Sequence, residues 1–183
     1  MMRSFTLCMA GLSLAVAAPA SAQSIEWTTP TIPGYGKIKN FPNVAERPIP
    51  GMEYKLVWAI SSDTQREGVN RTLWSAARVV NLLTAGGIPR DDIDIVIVLY
   101  GPAIDAGLTN EAYAAGHDGA ANPNLELMSA LHEFGVKFYA CGQTMAGNDI
   151  AESDLNEFTE MSLSAQIVLT NYALQGYVTM PEG

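Results

Sequence analysis

Ile95-Val96-Ile97-Val98-Leu99-Tyr100 is an apolar run with no polar alternation, stopped by Gly101-Pro102. A strand with one wet face alternates in polarity. An unbroken, mostly β-branched run implies burial on both faces, which is the pattern of a central parallel strand. Two further runs lie on either side of it. Lys55-Leu56-Val57-Trp58-Ala59-Ile60 precedes it, and Val136-Lys137-Phe138-Tyr139-Ala140-Cys141 follows.

The connections between these runs read as helices. Thr64-Gln65-Arg66-Glu67 fits a capping box, and Val69, Leu73, Ala76, Ala77, Val80 and Leu83 follow at helical spacing until Gly86-Gly87 and Pro89. Residues 103–115 allow a short helix, and Gly116 to Ala121 a loop. Asn122-Pro123 then reads as an N-cap with proline at the first helical position, opening a stripe of Leu125, Met128, Leu131 and Phe134 that Gly135 ends. After Cys141 the pattern predicts a loop over Gly142 to Asn148 and a short helix within Asp154 to Glu160. A short strand at Met161-Ser162-Leu163, a helix through Ala165, Val168, Leu169 and Tyr172, and a last strand at Tyr177 to Met180 complete it. Strands alternating with helices pair in parallel through right-handed crossovers. The expected fold is α/β, a three-layer sandwich, flavodoxin-like, with about five mostly parallel strands.

The chain's 183 residues divide into three parts. Residues 1–22 carry a positive start at Arg3, an uncharged apolar run from Phe5 to Ala18 and the small-x-small pattern Ala20-Ser21-Ala22. They read as a signal peptide cleaved after Ala22, leaving 161 residues from Gln23 and a periplasmic location. Residues 23–53, broken by Pro30, Pro33, Pro42, Pro48 and Pro50, form a Pro-rich N-terminal arm outside the main sheet, with Ile25, Trp27, Tyr35 and Phe41 as its candidate anchors. Residues 54–183 form the α/β domain. With 19 acidic against 10 basic side chains, the surface repels nucleic acid phosphates and anionic lipid, so neither nucleic acid nor, once the signal is cleaved, membrane is expected as a partner.

In open α/β sheets ligands sit beyond the carboxyl ends of the strands. Three loops meet that description: Ser61–Thr64, Gly101–Asp105 and Cys141–Asn148. Cys8 leaves with the signal, so Cys141 is the one remaining thiol and has no partner for an internal disulfide. An odd cysteine in an exported protein is either reactive or pairs between molecules, and the plainer reading is a small apolar packing residue. Its place at the very end of a strand favours function. Gly142, Gln143, Thr144 and Asn148 around it are small or polar and can bring backbone amides to a thiolate. Ser61, Asp63 and Tyr100 are candidate neighbours on adjacent strand ends, and His117, in the loop Gly116-His117-Asp118-Gly119, can reach them. His132 follows a helical stripe and reads as solvent-facing.

Several chemistries are excluded. There is no C-x-x-C dithiol, and Gly142 to Gly147 contains no basic residue of the kind that closes a rhodanese or phosphatase cradle. No dinucleotide fingerprint, Walker loop or G-x-S-x-G occurs. Asp91, Asp92 and Asp94 cluster at the amino end of a strand and read as turn formers and surface charge. No metal and no cofactor is expected. The sequon Asn70-Arg71-Thr72 falls inside a predicted helix.

Three stretches carry a family likeness: Val98-Leu99-Tyr100-Gly101-Pro102-Ala103; Asn122-Pro123-Asn124-Leu125; and Gly135-Val136-Lys137-Phe138-Tyr139-Ala140-Cys141-Gly142-Gln143. With the ending Leu174-Gln175-Gly176-Tyr177, they resemble the DsrE/DsrF-like family over roughly Tyr54 to Met180. The resemblance implies an α/β sandwich with a parallel sheet, assembly as a trimer or hexamer, and a sulfur carrier using a cysteine persulfide. That cysteine maps onto Cys141, with a donor or acceptor protein as partner. The export signal departs from the cytoplasmic sulfur-relay members. Two readings follow: a periplasmic sulfur carrier, or a non-catalytic oligomeric binding module with a small-ligand pocket at the strand ends.

Overall fold

The computed structural model describes residues 25–183, so the expected signal peptide and its expected cleavage point lie outside the described residues. Seven strands and five α-helices follow in order: β1 (Tyr54–Ile60), β2 (Gln65–Arg66), β3 (Val69–Asn70), α1 (Arg71–Ala85), β4 (Ile93–Leu99), α2 (Asn110–Gly116), α3 (Leu125–Phe134), β5 (Lys137–Cys141), α4 (Gly142–Gly147), β6 (Thr159–Ser162), α5 (Ala165–Leu174) and β7 (Val178–Thr179). Five of the strands form one sheet in the order β6-β5-β4-β1-β7, parallel throughout.

The run that decides the fold is the centre of this sheet. In β4, Ile95 to Leu99 are all buried, with Ile97 opposite Trp58 of β1 and Phe138 of β5. Alternate residues serve opposite faces. Ile95, Ile97 and Leu99 join Leu56, Trp58, Ile60, Phe138 and Ala140 in the larger core, under Leu73, Ala77 and Val80 of α1 and Leu127, Met128 and Leu131 of α3. Val96 and Val98 join Val57 and Cys141 in a smaller core under Ala165 and Val168 of α5.

Handedness explains the two faces. From β1 through β4 and β5 to β6 the chain advances in one direction, so its right-handed crossover helices fall on one face. β7 returns to the far side of β1. A right-handed crossover in that reversed direction carries α5 to the opposite face. The expected α/β sandwich with about five parallel strands is the one found.

Several local expectations are corrected. Thr64 to Glu67 is not a capping box. Glu67-Gly68, both at positive φ (52° and 87°), form the two-residue turn of a small β2–β3 hairpin. The Glu67 carboxylate instead accepts from Trp74 Nε1 (3.1 Å) and pairs with Lys37 (2.8 Å). The cap of α1 is Asn70, whose Oδ1 accepts from Thr72 N and Leu73 N, so the sequon asparagine is a buried helix cap and not a helix-interior residue. Asn124 precedes α3, and Asn122 instead donates from Nδ2 to the carbonyls of Asp105, Ala106 and Leu108. Residues 142–147 are α4, not loop. The expected helix within 154–160 is a 3-10 turn over Glu152–Asp154, and β6 begins at Thr159.

The arm lies along α1. Its buried apolar side chains are Ile32 and Ile38, whereas Trp27 and Phe41, two of the expected anchors, are exposed. Asn81, fully buried in α1, holds it: Thr31 N and Ile32 N donate to Oδ1 (2.9 Å each), and Nδ2 donates to the carbonyls of Tyr35 (3.0 Å) and Gly36 (3.1 Å). Among the described residues no helix is long and apolar enough to cross a membrane.

Candidate functional site

Cys141 closes β5 at the carboxyl edge of the sheet. The crossover helices after β1 and β4 pack on one face, and α5, which follows the adjacent β6, packs on the other. The ends of β5 and β6 therefore form the topological switch point, where α/β sheets open a crevice for ligands.

Two helices begin at this point. α4 starts at Gly142 directly after Cys141, so the Gln143 and Thr144 amides lie in its first turn, where no intrahelical carbonyl is available to them. α5 starts at Ala165, behind the N-cap Ser164, whose Oγ accepts from Ile167 N (3.2 Å). The backbone amides of Ala165, Thr144 and Gln143 and the Thr144 hydroxyl are the donor groups that favour the thiolate form of Cys141. Burial pushes the Cys141 thiol up, since the side chain is only 4% exposed, but these four donors outweigh it and bring the thiol below its ordinary value.

The donors are held in place by short contacts. A Cβ on Gly142 would stand 2.7 Å from the Ser162 carbonyl oxygen, so glycine allows the β6–α5 turn to close on α4. Gln143 Nε2 donates to the Leu163 carbonyl (3.1 Å), tying α4 to the same turn. Ser162 Oγ donates to the Ala140 carbonyl (2.9 Å). Thr144 Oγ1 accepts from Gly101 N (3.2 Å), linking the site to the end of β4.

Of the residues singled out from sequence, Gly142, Gln143 and Tyr100 are brought to Cys141, Tyr100 by packing on the same small core. Ser61 is one step removed. Its carbonyl accepts from Ala103 N (3.2 Å), while its amide and hydroxyl bind Glu182. Asp63 is exposed on the same loop. His117 is engaged elsewhere: Nε2 lies 2.9 Å from Asp105 Oδ2, and the ring stacks on Tyr113 at 3.8 Å and 10°. Asp105, with Gly101, Pro102 and Asn148, lines an open cavity of about 470 Å³. His132 is exposed, with its ring 5.3 Å from that of Phe158. Asp94 is not a turn residue but lies in β4, 3.4 Å from Lys137 Nζ and hydrogen-bonded by the Tyr177 hydroxyl. The sequence reading missed the Ala165 amide. Its only signal was Ser164, a cap residue in front of an apolar stretch. Among the described residues no group of three His, Cys, Asp or Glu side chains is placed to hold a metal ion.

No curated protein matches the sequence. A solved structure of a protein of unknown function from Methanobacterium thermoautotrophicum is similar at a TM-score of 0.51 and 21% identity, over 69% of this chain and 97% of that one, which is a likeness of fold. The model of the DsrE/DsrF-like family matches residues 55–181, from the second residue of β1 to two residues beyond β7, and so takes in all of the parallel sheet but Tyr54, both helical faces and Cys141. The chain belongs to the DsrE/DsrF-like family.

Proposed function

We propose that this protein is an exported sulfur carrier in which Cys141 accepts sulfane sulfur as a persulfide and passes it to an acceptor. The observation that carries the reading is the convergence of three backbone amides and the Thr144 hydroxyl on one sulfur, with no histidine engaged there. Amide donors stabilise a thiolate or a persulfide anion but take no proton, so they suit sulfur exchange better than hydrolysis. In the transfer, the Cys141 thiolate attacks the outer sulfur of a persulfide or polysulfide donor. A bond forms between Cys141 Sγ and that sulfur, the donor S–S bond breaks, and the donor leaves as a thiolate. No net oxidant or reductant is needed.

A periplasmic site of action rests on the signal-peptide pattern of residues 1–22. Detection of a mature chain beginning at Gln23 in the periplasmic fraction is the expected result. Assembly as a homo-trimer or hexamer is supported by exposed apolar side chains around β6, α5 and β7: Met161, Leu163, Ile167, Leu174 and Val178. Tyr113 and Met145, by contrast, are buried within the subunit and are not available for such contacts. Light scattering at micromolar concentration decides it, since a mass near that of one chain refutes assembly.

The second reading, a small-ligand binding module with Cys141 as a packing residue, is favoured by the burial of the sulfur. Incubation of native protein with a polysulfide, followed by intact mass measurement, separates the two. The carrier gains one sulfur, reversibly by reductant, and Cys141→Ser gains none. A thiol that reacts only after denaturation supports the module.

A further inference from the structure

The Ser61–Ser62 loop at the carboxyl end of β1 holds a carboxylate. Ser61 N (2.9 Å) and Ser61 Oγ (2.8 Å) donate to Glu182 Oε1, and Ser62 N (3.2 Å) donates to Glu182 Oε2. The geometry points to an oxyanion-binding site at Ser61–Ser62, in which Glu182 is a built-in occupant that a free carboxylate or sulfur oxyanion displaces.

The donors are fixed independently of Glu182. The Ser62 carbonyl accepts from Asn70 Nδ2 (2.8 Å), and Asn70 is itself locked as the cap of α1 and by its amide donating to Asn124 Oδ1 (2.7 Å). Ser62 Oγ bonds Thr64 Oγ1 (2.7 Å) and accepts from Thr64 N (3.2 Å). The Ser61 carbonyl accepts from Ala103 N. Removing Glu182 therefore leaves consecutive amides and a hydroxyl still aimed at one place, which is the arrangement of an anion-binding nest.

The backbone on either side of Glu182 is tied to the domain, Met180 N donating to the Val57 carbonyl (2.9 Å) and Gly183 N to Thr72 Oγ1 (3.1 Å), so the carboxylate is a tethered ligand of the loop. Glu182 is exposed and follows the two-residue strand β7 through Met180 and Pro181, whose carbonyl accepts from Trp58 Nε1 (3.1 Å). A tethered carboxylate is a competitor at high effective concentration, and it hides the site from outside ligands. No basic side chain contributes to the nest, and Asp63 is the next residue in the loop, so a single small anionic group fits the site better than a diphosphate. The site lies two strands from Cys141, about 10 Å by sheet spacing, with Gly101 and Thr144 between them.

This inference does not rest on the sulfur-carrier reading, and its test leaves Cys141 untouched. The full chain, ¹⁵N-labelled, is titrated with sodium acetate, sulfate or thiosulfate at ionic strength held constant with chloride, as wild type, Glu182→Ala and Glu182→Ala/Ser61→Ala. A competitor that occupies the site nine times in ten lowers apparent affinity about tenfold. The expected result is saturating amide shifts at Ser61 and Ser62 in Glu182→Ala, at about tenfold lower anion than in wild type, weakened again in the double variant. A response to acetate alone assigns a planar carboxylate as the ligand, and a response to sulfate or thiosulfate as well assigns small oxyanions generally. No saturable shift with any of the three anions, or equal midpoints in wild type and Glu182→Ala, overturns the site.

Discussion

Replacing Thr144 by Val tests the electrostatics of Cys141 most directly. Valine keeps the β-branched shape of threonine and puts a methyl group in place of the hydroxyl that favours the Cys141 thiolate and accepts from Gly101 N at 3.2 Å. A hydrogen bond to a charged group contributes about 1.5–3 kcal/mol. Its loss therefore lowers the thiolate fraction at a fixed neutral pH by roughly tenfold to a hundredfold. The Gly101 amide also loses its acceptor, which costs about 1 kcal/mol of folding stability. The assay is alkylation of native protein with iodoacetamide across pH, followed by intact mass, with urea unfolding run in parallel. In wild type the rate should rise with pH through a midpoint below that of a free thiol, because the folded protein prefers the thiolate. In Thr144→Val the midpoint should move up while the plateau rate at high pH rises, since a more basic thiolate is the better nucleophile. A mere loss of access would lower the plateau and leave the midpoint in place. Identical midpoints in the two proteins would falsify the claim that the hydroxyl acts on the sulfur, and a wild-type midpoint at or above the free-thiol range would show that burial wins over the donors.

Three further perturbations probe the frame around the site. Gly142→Ala sets a Cβ 2.7 Å from the Ser162 carbonyl oxygen, so the β6–α5 turn must retreat and carry the Ala165 amide with it; the expected outcome is a loss of about 1–3 kcal/mol in urea melts together with a higher alkylation midpoint, and unchanged stability would mean that the turn yields freely. Asn81→Ala removes four hydrogen bonds to the arm, about 1 kcal/mol each, so residues 25–53 should become cleavable by protease under conditions where wild type resists, and equal resistance would show that Ile32 and Ile38 hold the arm without Asn81. Tyr177 is raised above its ordinary value of 10.0 by burial, and further by its hydrogen bond to Asp94 and the carboxylate charge. A group whose folded value is raised stabilises fully below its unfolded value and loses that contribution as pH climbs; wild type should therefore lose stability above pH 10 more steeply than Tyr177→Phe, and parallel curves would discount the Asp94 pair.

The sheet was legible because its signals are local. An unbroken run such as Ile95 to Tyr100 leaves few options other than double-sided burial, and Gly135, at φ +116°, ends α3 where the pattern stopped. The misreadings arose where two local signals competed and tertiary contacts decided. Thr64-x-x-Glu67 satisfies the capping-box pattern, yet Glu67-Gly68 also satisfies a tight turn. Lys37 from the arm and Trp74 from α1 claim the Glu67 carboxylate, which settles the choice. In the same way Trp27 reads as an anchor on hydrophobicity alone, while the burial goes to Ile32 and Ile38, which flank the backbone held by Asn81.

The site divides along a different line. Cys141 could be placed from sequence because strand ends are local and thiols can be counted. The Gln143 and Thr144 donors could be placed beside it for the same reason, but the Ala165 amide could not, because it arrives from another segment and every residue has an amide. What turns an ordinary amide into a donor for this sulfur is position: the Ala165 amide reaches Cys141 only because β6 pairs beside β5 and α5 then leaves for the opposite face. That departure is forced by β7, which returns to the far side of β1 and so reverses the crossover. The chemistry at Cys141 thus depends on a two-residue strand at the other edge of the sheet. Substitutions that unpair Val178 and Thr179 from Leu56 and Val57 should therefore change the reactivity of a sulfur they never touch.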